Sequence, residues 1–129
     1  GFVAGTRAGF AFNTFPLMDG QLIPAGLFEL TPLWRNFFEN IVTVQFDHRV
    51  LATVLFILIP AFWLKAKNQK LEPAAYLGIN LLLAALFLQI TLGISTLLLV
   101  VPVALAAAHQ AGAVVLLTAS LFASHRLRG

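Results

Sequence analysis

Gln45-Phe46-Asp47-His48-Arg49 sits inside an apolar run that extends from Phe37 to Leu64. At ~1.5 Å of rise per residue, such a run crosses the ~30 Å hydrocarbon layer of a bilayer with some tilt. It therefore predicts a membrane-spanning helix, and the quoted stretch places Asp47, His48 and Arg49 within it. An ionisable group at the bilayer centre costs roughly 2.5–3.5 kcal/mol on insertion scales, so these side chains are expected to face a protein interior and to act there. His109 occupies an equally apolar setting near the other end of the chain.

The rest of the composition agrees. With 129 residues, 60% of them hydrophobic and 10% charged, and a mean hydropathy of +0.91, the chain is a membrane protein and not a soluble domain. It opens Gly1-Phe2-Val3 within an apolar run and has no basic n-region. We read it as a segment of a longer polypeptide rather than a secreted precursor. There is no cysteine, which excludes disulfides and thiolate metal sites and leaves histidine as the natural soft-donor ligand. The net charge of +3 reports orientation, not nucleic-acid binding, because in membrane proteins basic residues mark the inner ends of spans.

Taken in order, residues 1–12 read as the end of a truncated helix that closes on Asn13-Thr14-Phe15-Pro16. Residues 13–36 contain Pro16, Pro24, Pro32, Asp19-Gly20 and Gly26, which break any continuous helix and mark a long outer loop. Leu27, Phe28, Leu30, Leu33 and Trp34 make that loop too apolar for a solvated linker. A short helix along the membrane interface is the expected form. Complete spans are expected at 37–64, 74–101 and 103–124, the second opened by Pro73 and the third by Pro102. Lys65, Lys67 and Lys70 then fall on the same side as Arg126 and Arg128, which the positive-inside rule places in the cytoplasm or its equivalent. The fold class is an all-α membrane protein: a transmembrane four-helix bundle unit of three complete helices plus the end of a fourth.

His48 lies nine residues beyond Glu39 and His109 seven beyond Pro102, each counted from the outer end of its span. Those depths are ~14 and ~10 Å, a difference smaller than one helical turn. Two parallel helices thus carry imidazoles at nearly one level, as two axial ligands on opposite faces of a haem iron require. One turn from His109 stand Leu105, Ala106, Gly112 and Ala113, and one turn from His48 stand Val44, Gln45, Leu51 and Ala52, small enough in part to admit a flat macrocycle. A zinc or di-iron centre wants three or more N/O donors, and no acidic cluster or third histidine accompanies the pair. His125, beside Arg126 and Arg128, reads as an interface residue. Arg49 and Arg7 are candidates for holding the propionates, since a guanidinium grips carboxylates with a planar fork of donors. Gln45 and Gln110 can bond an imidazole or a propionate, or serve only to tie helices together. Three readings stay open on residues alone: a haem-binding part of an oxidoreductase, a di-histidine cytochrome module of another electron-transfer chain, and a cofactor-free bundle for proton or solute movement.

Gly1-Phe2-Val3-Ala4-Gly5-Thr6-Arg7-Ala8-Gly9, Phe12-Asn13-Thr14-Phe15-Pro16-Leu17-Met18-Asp19-Gly20, Glu39-Asn40, Val44-Gln45-Phe46-Asp47-His48-Arg49, Gln89 to Leu97 and Ala108-His109-Gln110 together resemble the C-terminal half of haem A synthase, the cytochrome oxidase assembly proteins of bacteria and mitochondria. In that family a four-helix unit occurs twice. The resemblance implies that His48 and His109 are the axial ligands of a b-type haem. It also implies that the N-terminal unit binds haem o and oxidises its C8 methyl to the formyl group of haem A. The family's N-terminal unit carries a glutamate three residues before its first histidine, where this chain has Gln45, so this part is expected to be non-catalytic and to serve electron transfer or support. The implied partners are the lipid bilayer, the N-terminal half of the same polypeptide, haem O synthase and an electron donor that the residues do not identify. The implied location is the bacterial cell membrane or the mitochondrial inner membrane.

Overall fold

The protein is described from a computed structural model covering residues 2–128. Its helices are α1 (Phe2–Gly5), α2 (Asn36–Glu39), α3 (Ile41–Ala66), α4 (Pro73–Leu98) and α5 (Val103–Leu127), with 3-10 turns at Ala8–Phe10 and Leu33–Arg35. Three of them, α3, α4 and α5, are long and apolar enough to cross a membrane, and the chain is an all-α, multi-pass membrane protein.

Each span starts and stops for a local reason. Asn40 is extended and caps α3, its side chain accepting hydrogen bonds from the backbone N–H of Val42 at 3.0 Å and Thr43 at 3.1 Å. The span therefore begins at Ile41 and not at Phe37, and the apolar Phe37-Phe38 pair belongs to the separate helix α2. Pro73 opens α4 at its first turn, where a missing N–H costs nothing. That helix stops at Leu98, short of the expected Val101, because Val100 and Val101 adopt left-handed φ values of 59° and 56° to make the turn into Pro102. By contrast, α5 runs three residues past the expected Ser124, to Leu127. The first segment is α-helical over Phe2–Gly5, after which Arg7 turns left-handed at φ 56° and a 3-10 turn follows at Ala8–Phe10.

The central helix is α4. Ala75, Ile79, Leu82, Ala85 and Leu86 are all buried. The closest helix pair is α4 with α5, and small residues set the spacing. A Cβ placed on Gly78 would lie 2.9 Å from the Ala123 backbone, the small-residue packing that lets membrane helices approach closely. Towards α3, the Trp63 indole N–H donates to Asn80 Oδ1 at 2.8 Å, and Phe56 meets Phe87 edge to face at 6.1 Å. At the inner end Lys67 lies over the Trp63 ring at 5.0 Å and Arg126 over Phe122 at 5.3 Å.

A folded loop, not a linker, closes the outer end. Asn36 is fully buried; its amide donates to the carbonyls of Leu30 at 2.8 Å and Leu33 at 2.9 Å, and its oxygen accepts from the Leu30 N–H at 2.9 Å. Asn40 reaches back to the Gly26 carbonyl at 2.8 Å. Asn13 joins the first segment to α4, donating to the carbonyls of Gly9 at 2.9 Å and Leu97 at 3.0 Å. Leu33, Trp34, Phe37 and Phe38 remain exposed on the short helical stretch, the composition of a segment lying in the membrane interface.

Candidate histidine site

Because α3 and α5 each pack antiparallel to α4, through Phe56 with Phe87 and Trp63 with Asn80 on one side and Gly93 with His109 and Gly78 with Ala123 on the other, they run parallel to each other. They approach through two side chains. The His48 and His109 rings stand with centroids 6.1 Å apart and planes at 84°, so the matched depth read from spacing becomes an observed juxtaposition. His48 is exposed and His109 half-buried. Nδ1 of His109 is buried without a hydrogen-bond partner. Among the described residues no group of three or more His, Cys, Asp or Glu side chains converges.

A bis-imidazole metal site tests this geometry directly. With metal–nitrogen bonds of ~2.0–2.1 Å and a ring nitrogen ~1.1 Å from the ring centre, two opposed axial imidazoles hold their centroids ~6.2–6.4 Å apart. The observed 6.1 Å lies just short of that span. On the α4 side of His109 the wall is Gly93, where an added Cβ would lie 2.9 Å from Cε1 of the imidazole. Two imidazoles at this separation are a donor set that a haem iron can accept.

The other sequence-predicted residues fall around this pair with different tasks. Gln45 is buried, and its amide N–H groups donate to the carbonyls of Ala8 at 2.9 Å and Phe12 at 3.1 Å; it ties α3 to the first segment. Arg49 donates through Nη2 to the carbonyls of Phe12 at 3.2 Å and Thr14 at 2.9 Å, and through Nη1 to Pro16 at 3.2 Å and Leu17 at 3.4 Å. Its Nε is buried with no partner. Thus Gln45 and Arg49, one turn apart on α3, clasp the 8–17 segment over the level of His48. Arg7 lies exposed on the left-handed turn before Ala8, and Gln110 is exposed on α5. His125 stands at the inner end of α5, far from the pair along the helix. Among the described residues the one ion pair is Arg35 with Glu39, and Asp47 is in none.

Two residues not assigned to the site from sequence prove central to it. Gln89 donates to the backbone carbonyl of His109 at 2.8 Å, and Gly93 receives the His109 ring. Both lie in the Gln89-to-Leu97 stretch, and their four-residue spacing puts them on one face of α4. That spacing was the available signal.

Fold and site together define a polytopic helical membrane protein in which parallel spans bring two imidazoles within 6.1 Å of each other. Comparison with known proteins gives the family. The chain belongs to the COX15-CtaA family of cytochrome oxidase assembly proteins, matched over residues 1–121. It is 63% identical over 99% of its length to a Heme A synthase from Nitrosospira multiformis, covering 36% of that relative. It is 51% identical over 98% of its length to Heme A synthase COX15 of Arabidopsis thaliana, covering 28%, and 42% identical over 98% to that of Bos taurus, covering 31%. The chain thus spans about a third of the length of the curated relatives it matches. No solved structure matches it.

Proposed function

We propose that this chain is the four-helix haem-binding unit of a haem A synthase, with His48 and His109 as the axial ligands of a b-type haem. The observation that carries the reading is the 6.1 Å separation of the two rings. It is supported by the names of the relatives and by the glycine wall beside His109. A haem held by His48 and His109 would supply one-electron transfer. The chain's residues then have defined tasks. His48 and His109 present ring nitrogens from parallel helices, and Gln45 and Arg49 hold the apolar outer segment over that level to exclude water. The Arg49 Nη groups are committed to loop carbonyls, so its partnerless Nε is the donor left for a propionate, with Arg7 as the second cation and Gln110 as a polar neighbour. The intact protein oxidises the C8 methyl of haem o to a formyl group in its other half, in the bacterial cell membrane or mitochondrial inner membrane, while this half passes electrons or supports that reaction. An electron donor and haem O synthase are its functional neighbours.

A reduced-minus-oxidised visible spectrum of the full-length protein tests the ligation. His48→Ala and His109→Ala each should abolish the six-coordinate haem b signal; its retention in either variant overturns the reading. Supplying haem o during expression and seeking haem A by chromatography tests the reaction. Bound haem b without any haem A would assign the chain to another electron-transfer system.

A further inference from the structure

Around His109, α4 and α5 exchange side chains through glycines. Gly93 on α4 has no side chain, and the His109 ring of α5 fills that space: a Cβ there would meet Cε1 at 2.9 Å and both ring nitrogens at 3.4 Å. Gly112 on α5 has no side chain either, and the Gln89 amide of α4 fills it, with Gln89 Oε1 on the position a Cβ would take. The inserted amide then donates to the carbonyl of His109 itself at 2.8 Å. Gln89 and Gly93 are one turn apart on α4, and His109 and Gly112 one turn apart on α5. Each helix therefore presents a knob and an adjoining vacant site to its partner.

We infer that this reciprocal lock, Gln89 into Gly112 and His109 into Gly93, is the device that fixes the azimuth and depth of the His109 imidazole. Gln89, Gly93 and Gly112 are its positioning residues. The inference rests on the ligation reading. The physical reason is that an imidazole on a helix has two free torsions, and near-apolar spans offer few directional contacts to hold them. Here the Gly93 backbone blocks the ring on one side. The Gln89 hydrogen bond pins the backbone from which the ring hangs, so the two helices cannot slide without moving the ring. Ligands held by such outer contacts set the geometry and potential of their metal.

The lock can be separated from ordinary packing, because the same helix pair has an equally close glycine contact elsewhere. Gly78 lies 15 residues before Gly93 on α4, or ~22 Å along the axis, and its added Cβ would also fall 2.9 Å from α5, at Ala123. The test uses the full-length, haem-loaded protein in nanodiscs with Gly93→Ala, Gln89→Leu, Gly78→Ala and His109→Ala. The readouts are haem b occupancy, the electron paramagnetic resonance signal of the low-spin ferric form, and the midpoint potential. Gly93→Ala should displace the ring, shifting both the resonance signal and the potential, and Gln89→Leu, which removes the donor at similar size, should shift them in a milder way. Gly78→Ala should lower thermal stability and leave both unchanged. Unshifted signals in Gly93→Ala and Gln89→Leu overturn the lock, as does an equal shift in Gly78→Ala. Should Gly93→Ala not accumulate, Gln89→Leu alone decides by the same criterion. If His109→Ala keeps the native signal, the ligation reading fails and the lock with it; if it loses the signal while Gly93→Ala and Gln89→Leu keep it, only the lock fails.

Discussion

Replacing Arg49 by methionine keeps a long unbranched side chain on α3 and removes all of the arginine's own donors to the 12–17 segment. Of its four carbonyl contacts, those to Thr14 at 2.9 Å and Phe12 at 3.2 Å are well formed, while that to Leu17 at 3.4 Å is near the limit of a hydrogen bond. A bond from a charged donor contributes ~1.5–3 kcal/mol, and these are only partly shielded, so the set holds the segment down by about 2–4 kcal/mol. At 1.4 kcal/mol per decade that raises the opening equilibrium of the loop roughly 30- to 700-fold. The reporters are the Met18 and Gln21 amides, which pair with each other's carbonyls at 2.9 and 3.1 Å. Hydrogen exchange measured by mass spectrometry on the full-length protein in nanodiscs should show their protection falling by that factor. Arg49→Lys should lie in between, because an ammonium cannot span the carbonyls with a planar fork. Unchanged protection in Arg49→Met would refute the clasp.

Three further outcomes follow from single contacts. Asn40→Ala removes the cap of α3 and should cost about 1 kcal/mol, read as a lower thermal midpoint in lipid; an unchanged midpoint contradicts the capping role. Trp63→Phe deletes the indole bond to Asn80 and should destabilise by roughly 0.6 kcal/mol, the average for a hydrogen bond between membrane helices, with a double-mutant cycle against Asn80→Ala as the check. Glu39, at the fully exposed end of α2, is held below its ordinary value of 4.5 by its hydrogen bonds with Arg35. A carboxylate depressed in the folded state stabilises above its unfolded value and loses that contribution as pH falls through the folded one. Protection of residues 35–39 should therefore weaken below about pH 4.5 in the natural protein and show no such step in Glu39→Gln; a step in both would assign it to another group.

Much of this architecture is legible residue by residue. Pro73 and Pro102 mark the starts of two spans, because an imino acid fits a first helical turn and little else in an apolar run. The lysines after Leu64 and the arginines after Ser124 fall at the same end of the helices. Spacing alone put His48 and His109 at one depth, since helical rise is constant. The start of α3 was misjudged for an equally plain reason. Phe37-Phe38 extends the hydropathy of the span, while Asn40, a capping residue three positions on, ends one helix and begins the next.

What the sequence by itself determined is therefore whatever depends on distance along one helix: the number of spans, their alternation and the level of each histidine. Which faces meet was decided by the tertiary structure alone. Helices that are apolar nearly all round carry no stripe to say which side turns inward, so nothing in hydropathy assigns Gly93 to His109 or Gly112 to Gln89. Close packing makes that choice, because a glycine is where an imidazole or an amide can enter. The same holds for Arg49, whose charge advertised a carboxylate partner. The folded loop also brings its Nη groups four carbonyls, since backbone oxygens in an apolar setting need donors as much as a propionate does, and leaves Nε without a partner.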